Sequence, residues 1–201
     1  MSTSTGPAHS YSNTGPSLAD YTSMMLQMYF EALDQSSMAQ VLDVGPVCEE
    51  NITFFAQRVK RFHVCDMFSR LNRNRREGLP PKKVWKHLDY APHSFEGINL
   101  WDFIDHINDD EIGKLVNLCH TMLNPRGMML LTSFEEQSAP SQINSFVTKD
   151  GYRLTFRPQN HLDLPCYYRS NRILTDMLSE FASVKSFIYR NGVREFLCKR
   201  D

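Results

Sequence analysis

The sequence of 201 residues predicts a doubly wound α/β fold, in which helices cover both faces of a mostly parallel sheet. Short apolar runs alternate with segments whose apolar residues recur every three to four positions, the pattern of strands alternating with helices. The last two strand-like runs are joined by Asn191-Gly192, a dipeptide typical of a tight hairpin turn. We therefore expect a Rossmann-like, seven-stranded sheet that ends in an antiparallel hairpin.

The first half of the chain contains clear helices and strands followed by two uncertain segments. Residues 68–81 are polar and basic, which predicts a loop or a broken helix, and residues 83–90 fit a strand as well as a helix. Before them, hydrophobic spacing predicts these elements in order: a helix over 17–34, a strand over 40–44, a helix over 49–60 and a strand over 61–66.

The second half continues the alternation. Asn108 is placed to cap a helix, with Glu111 three residues later as in a capping box, and Asn124-Pro125 ends that helix. The alternating segment 152–157 fits a strand. The other predicted elements are a strand within 95–104, a strand over 128–133, a helix over 170–181 and hairpin strands over 183–190 and 193–199.

Composition indicates one globular domain. Hydrophobic residues make up 41% and charged residues 22%, and the net charge is −1. Residues 1–16 are rich in Ser, Thr, Gly and Pro and predict a disordered tail, which leaves 17–201 as the domain. We expect no membrane span, because no run of eighteen apolar residues occurs. The five cysteines show no CxxC pair, and no HxH or HExxH pattern occurs, so we expect no metal site and a reducing, cytoplasmic setting.

Acidic residues mark the ends of the predicted strands. Asp43 ends the first strand, Asp66 the second and Asp102 the next clear one, while Asp89 lies in the uncertain segment. The carboxyl ends of parallel strands share one edge of a sheet, where α/β folds bind ligands. Such an acidic edge suits a cationic ligand with hydroxyl groups. The alternative is that each acid only caps a helix or a turn.

The turn after the first strand disfavours a dinucleotide. A pyrophosphate needs a glycine-rich turn at a helix N-terminus, but this turn has only Gly45 and its helix begins with Glu49 and Glu50. Those carboxylates repel a pyrophosphate, although they also stabilise the helix dipole. An NAD(P)-dependent dehydrogenase is therefore a weak alternative.

Three segments, in this order, resemble motifs of the class I S-adenosylmethionine-dependent methyltransferases. Residues 41–45, VLDVG, look like that family's first motif. Residues 87–107 resemble the stretch leading through the adenine-contacting segment into the fourth strand, and residues 123–134, LNPRGMMLLTSF, are similar to the following turn and fifth strand. The resemblance runs from about residue 17 to the end. It implies an S-adenosylmethionine-dependent methyltransferase that acts on a small-molecule acceptor.

The same resemblance implies roles for individual residues. Asp105 and His106 resemble the acid–histidine pair that often follows the fourth strand of small-molecule methyltransferases, with His106 as the base. The alternative for this pair is an exposed turn before a helix. His161, Tyr167 and Tyr168 fall in the insertion that commonly covers the acceptor pocket. The cofactor-binding residues implied are Asp43, Gly45, Asp66, Asp89, Tyr90 and Asp102.

The first motif departs from the family pattern. Val47 and Glu49 stand where the second and third glycines would be, which brings a branched side chain and a negative charge toward the methionine portion of the cofactor. The alternative function is therefore a catalytically degenerate binding or interaction module that no longer binds S-adenosylmethionine in the usual way. In that case we expect Val47 and Glu49 to fill the pocket.

A basic cluster lies outside these motifs. It could contact phosphate, and nucleic acid is therefore left open as a partner. Trp85 is its only aromatic residue, so base stacking has little support and a solvated loop is the favoured interpretation. The cluster consists of Arg70, Arg73, Arg75, Arg76, Lys82, Lys83 and Lys86.

Overall fold

A computed structural model describes residues 18–33 and 39–201, so the predicted tail lies outside the described residues. Among the described residues, four 3₁₀ helices accompany the regular elements: Pro81–Leu88, Asp102–His106, Glu136–Ser138 and Asp150–Tyr152. The strands and α-helices are β1 (Tyr21–Thr22), α1 (Met24–Leu33), β2 (Gln40–Asp43), α2 (Glu49–Ala56), β3 (Arg61–Val64), α3 (Met67–Arg76), β4 (Phe95–Trp101), α4 (Asp109–Met122), β5 (Leu123–Phe134), β6 (Asn144–Lys149), β7 (Arg153–Pro158), α5 (Asn171–Met177), β8 (Ser183–Ile188) and β9 (Val193–Lys199).

The main sheet has the order β3-β2-β4-β5-β9-β8. Strands β3, β2, β4 and β5 are parallel, whereas β9 runs antiparallel to β5 and β8 runs antiparallel to β9. The mostly parallel α/β sheet and its closing antiparallel hairpin are therefore present. The order reverses direction between β2 and β4, which is the point where doubly wound folds form a ligand crevice.

The expected count of seven strands in this sheet is wrong, because the described part of the sheet has six. The uncertain segment 83–90 lies mostly in the 3₁₀ helix Pro81–Leu88. Pro80 and Pro81 explain the difference, since proline cannot donate a ladder hydrogen bond and its fixed φ suits the first turn of a helix. Val84 and Leu88 are buried on one side of this helix, so its apolar spacing is helical.

Three short strands form a second sheet with the order β1-β7-β6. Strand β7 corresponds to the predicted alternating segment. Asn51 links α2 to this second sheet. Its side-chain amide donates to the Phe146 carbonyl at 2.8 Å and accepts from the Thr148 N–H at 2.8 Å, and both partners lie on β6. The buried amide thus satisfies two backbone groups that would otherwise lack a partner.

Two observed helices, α1 and α3, differ from the prediction because of their caps. Helix α1 begins at Met24 rather than near residue 17, since the Ser23 hydroxyl accepts from the Leu26 N–H at 2.9 Å. Helix α3 occupies much of the segment predicted as a loop or broken helix. Asp66 caps it by accepting from the Ser69 N–H at 2.8 Å, and the arginines in its last turn complement the helix dipole.

Two apolar clusters cover the two faces of the main sheet. Val41 and Leu130 belong to the cluster with α1 and α2, whereas Leu42 and Leu131 belong to the cluster with α4 and α5. Neighbouring residues on one strand point to opposite faces, so both faces are buried as a doubly wound fold requires. Among the described residues, no helix is long and apolar enough to span a membrane.

Candidate functional site

Asp43 ends β2 and Gly45 follows it. Both lie at the carboxyl ends of β2 and β4, where the strand order reverses, and we call this position the crevice. Asp43 is buried, and its Oδ1 accepts from the Gly45 N–H at 2.8 Å and from the indole N–H of Trp101 at 2.9 Å. Burial raises the pKa of Asp43 to about 7, against the lowering effect of these two hydrogen bonds. The carboxylate therefore faces protein donors rather than an open cleft.

Trp101, the last residue of β4, reaches across the crevice to β2. Its side chain is only 2% exposed and stacks on Phe146, with ring centroids 5.5 Å apart and an interplanar angle of 14°. A methyl group added to Gly45 would clash with the indole Cδ1 of Trp101. The glycine at this position is therefore required by the tryptophan ring itself.

The backbone of Trp101 is strained. Its φ of 50° and ψ of −143° lie in a region that residues with a side chain rarely adopt. Such strain typically amounts to about 1–3 kcal/mol and persists only where surrounding contacts hold it. Here the stacking on Phe146 and the hydrogen bond to Asp43 provide those contacts.

Asp66 follows β3 and is used by the protein itself. Its Oδ1 accepts from the Ser69 N–H, and its Oδ2 accepts from the Ser69 hydroxyl, each at 2.8 Å. The Val47 N–H adds a longer hydrogen bond of 3.4 Å to the same Oδ2. The carboxylate that the resemblance assigns to the ribose hydroxyls therefore caps α3 and joins the turn after β2.

The two residues expected from the uncertain segment have different environments. Asp89 is exposed and ends the 3₁₀ helix that precedes β4. Tyr90 is partly buried, and its ring packs edge-on against Phe95 with centroids 5.1 Å apart. Their proposed contacts with an adenine stay a prediction.

Asp102, Asp105 and His106 form a buried acidic cluster on the 3₁₀ helix after β4. Asp105 is 1% exposed and accepts from the Ser133 hydroxyl and the Phe134 N–H, each at 2.8 Å. Burial raises its pKa to about 7. The alternative of an exposed turn is therefore wrong for this pair, because all three side chains belong to the interior.

His106 lies between a carbonyl and a carboxylate. Its Nδ1 is 2.9 Å from the Pro165 carbonyl oxygen, so Nδ1 donates, and its Nε2 is 3.7 Å from Oδ2 of Asp102. Burial by itself lowers the pKa of His106, but the carboxylate of Asp102 and the Pro165 carbonyl outweigh it and raise the pKa above the ordinary value. The arrangement can hold a proton on the ring.

A small cavity of about 160 Å³ adjoins this cluster. His106 Nε2 and Asp102 Oδ1 are buried and have no hydrogen-bond partner among the described residues. Tyr168 and Cys166, from the insertion before α5, also line the cavity. That this insertion covers an acceptor pocket stays a prediction. Burial raises the pKa of Cys166 to about 11, so its thiol is a poor nucleophile near neutral pH.

The two substituted glycine positions do not fill the crevice. Val47 is 59% exposed, and Glu49 is also exposed. Glu50 pairs with Arg157, which lowers the pKa of Glu50 to about 2. The expectation that Val47 and Glu49 occupy the pocket is therefore wrong, and Trp101 lies there instead. Trp101 was missed because nothing in the sequence pattern gives the direction of its ring.

Comparisons with known proteins identify the fold. No protein-family model matches the chain, and no curated protein matches it. The structure is similar to a methyltransferase from Archaeoglobus fulgidus (TM-score 0.53, 12% identity, 87% of this chain and 94% of that one) and to one from Mesorhizobium loti (TM-score 0.51, 12% identity, 88% and 98%), both S-adenosylmethionine-dependent. It is also similar to DhpI in complex with SAH (TM-score 0.52, 13% identity, 87% and 83%). The chain therefore has a class I methyltransferase-like fold.

Proposed function

We propose that this chain uses the methyltransferase fold as a binding scaffold and does not bind S-adenosylmethionine in the usual way. The observation that carries this proposal is the Trp101 ring, which lies against Gly45 and donates to Asp43. The ring joins the carboxyl ends of β4 and β2 at the point where the strand order reverses. That point is where this class of fold places a ligand.

Burial supports the closure of the crevice. Residues that line an open pocket remain accessible to water when no ligand is present. Asp43 is 4% exposed and Trp101 is 2% exposed, and Gly45 is buried as well. The methionine portion of the cofactor would therefore have to displace the indole before it could approach the backbone of Gly45.

The ribose side of the expected cofactor site is also occupied. Hydroxyl groups that bind Asp66 would compete with donors from Ser69 and Val47. Losing the cap on α3 would destabilise that helix by about 1 kcal/mol. The 3.4 Å approach of the Val47 N–H to Asp66 brings the turn after β2 to the carboxylate on which the ribose would rest.

A second candidate, an active methyltransferase, has one observation in its favour. His106 Nε2 and Asp102 Oδ1 make no hydrogen bond to the described residues and lie beside a cavity, where a small substrate could exchange a proton with the His106–Asp102 pair. For this function Trp101 would have to leave the crevice, and release of its backbone strain would offset part of the lost burial. The residues in their present positions do not fit the cofactor, so we derive no catalytic step.

A thermal-unfolding titration with S-adenosylmethionine and S-adenosylhomocysteine separates the two candidates. A ligand present at about 100 times its Kd stabilises a protein by about 2.7 kcal/mol. In a chain of this size each kcal/mol raises Tm by roughly 2–4 °C, so this stabilisation corresponds to a rise in Tm of roughly 5–11 °C. We expect no rise with either compound at about 1 mM, whereas a saturable rise with both would favour the active enzyme.

A further inference from the structure

A cleft of about 680 Å³ lies between α3 and the 3₁₀ helix Pro81–Leu88. Four exposed cationic side chains line it from both sides: Arg70 and Arg73 on α3, and Lys83 and Lys86 on the 3₁₀ helix. None of the four forms an ion pair within residues 18–33 and 39–201, whereas other arginines of the domain pair with carboxylates. The cleft is therefore a concave site with an excess of positive charge, four cations against the carboxylates of Asp66 and Glu77.

The imidazole of His87 lies close to two of these cations, Arg70 and Arg73. The Arg70 guanidinium donates to Nδ1 of His87 at 2.8 Å, so this nitrogen carries no proton. Burial, together with the charges of Arg70 and Arg73, lowers the pKa of His87 below its ordinary value. The contact also links α3 to the 3₁₀ helix, which fixes the distance between the two rows of cations.

Carboxylates at the two ends of the cleft limit the length of the anion that the cleft can bind. Asp66 precedes α3 and Glu77 follows it, and both carboxylates line the cleft. The ten residues of α3 between them span roughly 15 Å at the usual rise per residue. An extended polyanion would pass over a carboxylate at each end, whereas a group of two or three phosphates would contact only the cations.

Apart from the imidazole of His87, which accepts from Arg70, the lining contains no ring on which a base could stack. None of the residues that the structure places around the cleft is Phe, Tyr or Trp. Trp85 lies on the same 3₁₀ helix, but its indole N–H donates to the Glu111 carboxylate on α4. Recognition in this cleft therefore depends on charge and on hydrogen bonds from guanidinium and ammonium groups, which suit phosphate oxygens.

We propose that this cleft binds a compact oligophosphate group, as carried by nucleoside di- or triphosphates or by a short inorganic polyphosphate. Arg73 and Lys86 are the central contacts, because neither makes a side-chain hydrogen bond to the described residues and both line the cleft. This proposal rests on the cations of the cleft and not on the function proposed for the crevice between β2 and β4, although Asp66 borders both sites.

Isothermal titration with tripolyphosphate tests the proposal, with ATP as a second arm. We expect saturable binding that weakens as sodium chloride is raised from about 50 to 200 mM, because salt screens exposed charges. Affinity for ATP equal to that for tripolyphosphate identifies the phosphate group alone as the ligand. A gain of about tenfold or more for ATP identifies a nucleotide as its source, since tenfold is a resolvable difference in binding free energy.

A matched pair of double variants assigns binding to this cleft. Arg73→Gln with Lys86→Gln should weaken tripolyphosphate binding by roughly tenfold or more, because each removed cation loses a charge-assisted contact. Lys82→Gln with Arg172→Gln removes the same charge from exposed residues that do not line the cleft, and should leave the affinity unchanged. Circular dichroism of both variants checks that α3 remains folded.

Three results would overturn the proposal. The first is the absence of tripolyphosphate binding to the wild-type chain at low salt. The second is equal weakening in both double variants, which would indicate a general charge effect. The third is binding to single-stranded RNA that strengthens steadily with strand length beyond three nucleotides, because a compact site cannot gain from a longer polyanion.

Discussion

The indole N–H of Trp101 donates a hydrogen bond of 2.9 Å to the carboxylate of Asp43. This bond links the ends of β4 and β2 across the crevice where the strand order reverses. Phe146 of the small sheet stacks on the indole, so the second sheet holds the ring in position. The carboxyl ends of β2 and β4, where this class of fold places a ligand, therefore lie in the protein interior.

Removing only the donor tests the structural value of this bond. Trp101→Phe leaves an aromatic ring but deprives the buried Asp43 carboxyl of one donor, and should lower the free energy of unfolding by about 1–3 kcal/mol. Tyr29→Phe is the matched control, because the Tyr29 hydroxyl is buried and has no partner among the described residues. We expect the control to be neutral or slightly stabilising in urea unfolding. Equal losses in both variants would contradict the role of the bond.

Stability should depend on pH through Asp43. Burial raises its pKa to about 7, so between about pH 4 and pH 7 the folded state keeps a proton that the unfolded chain has released. The contribution of Asp43 to stability therefore falls as the pH rises through this range. Asp43→Asn stays neutral, and its amide oxygen can still accept from Gly45 and Trp101.

Urea unfolding of wild type and Asp43→Asn at about pH 4.5 and 7.5 measures this effect. The wild type should lose about 2–4 kcal/mol more than the variant over this range, since each unit of pKa shift corresponds to about 1.4 kcal/mol. Asp105 has a similarly raised pKa but is present in both proteins, so its contribution cancels. Identical pH profiles would show that Asp43 does not titrate as the burial requires.

Restoring the two missing glycines should not restore cofactor binding. Val47 is exposed and does not fill the crevice, so Val47→Gly with Glu49→Gly leaves Trp101 in place. The double change should lower stability by about 1–2 kcal/mol, because glycine is unfavourable in the first turn of α2 and Glu49 no longer complements the helix dipole. A calorimetric titration with S-adenosylhomocysteine checks this, and new binding at micromolar ligand would contradict it.

Arg169 should be essential for the insertion that covers the acidic cluster. Its buried guanidinium donates to Asp109 Oδ1 at 2.7 Å and to the carbonyls of Ile104 and Ile107 at 3.0 and 2.7 Å. Arg169→Met leaves the buried carbonyls of Ile104 and Ile107 without this donor, whereas the exposed Asp109 carboxylate is hydrated, and should lower the free energy of unfolding by about 2–4 kcal/mol. Arg172→Met, on an exposed face of α5, should change it by less than about 0.5 kcal/mol. Chemical unfolding compares the two.

The sequence predicted the alternation of strands and helices and the positions of the strand-end acids. Asp43 and Asp102 could be identified because parallel strands bring their carboxyl ends to one edge of the sheet. The helical nature of 83–90 was harder to predict because Val84 and Leu88 also fit a strand that is buried on one face. Pairing of Tyr21–Thr22 with β7 joins residues far apart in sequence, and no local pattern reveals such a contact.

The candidate site was predicted less completely than the fold. Asp105 and His106 were found as a pair, but their burial depends on the insertion at 164–169, which packs over them. The ring of Trp101 depends on a backbone conformation that residues with a side chain rarely adopt, and the stacking on Phe146 comes from the other sheet. Local sequence pattern therefore marks the edge of the sheet but not the side chain that fills it.

Isothermal titration of the wild-type chain with S-adenosylhomocysteine, alongside Trp101→Ala, tests the central claim most directly. We expect a wild-type Kd weaker than about 1 mM, which corresponds to a binding free energy smaller than about 4 kcal/mol. The folded fraction of Trp101→Ala, although less stable by about 3–5 kcal/mol, should bind more tightly because the crevice is open. Wild-type binding with a Kd below about 10 μM, weakened rather than strengthened by Trp101→Ala, would contradict the account.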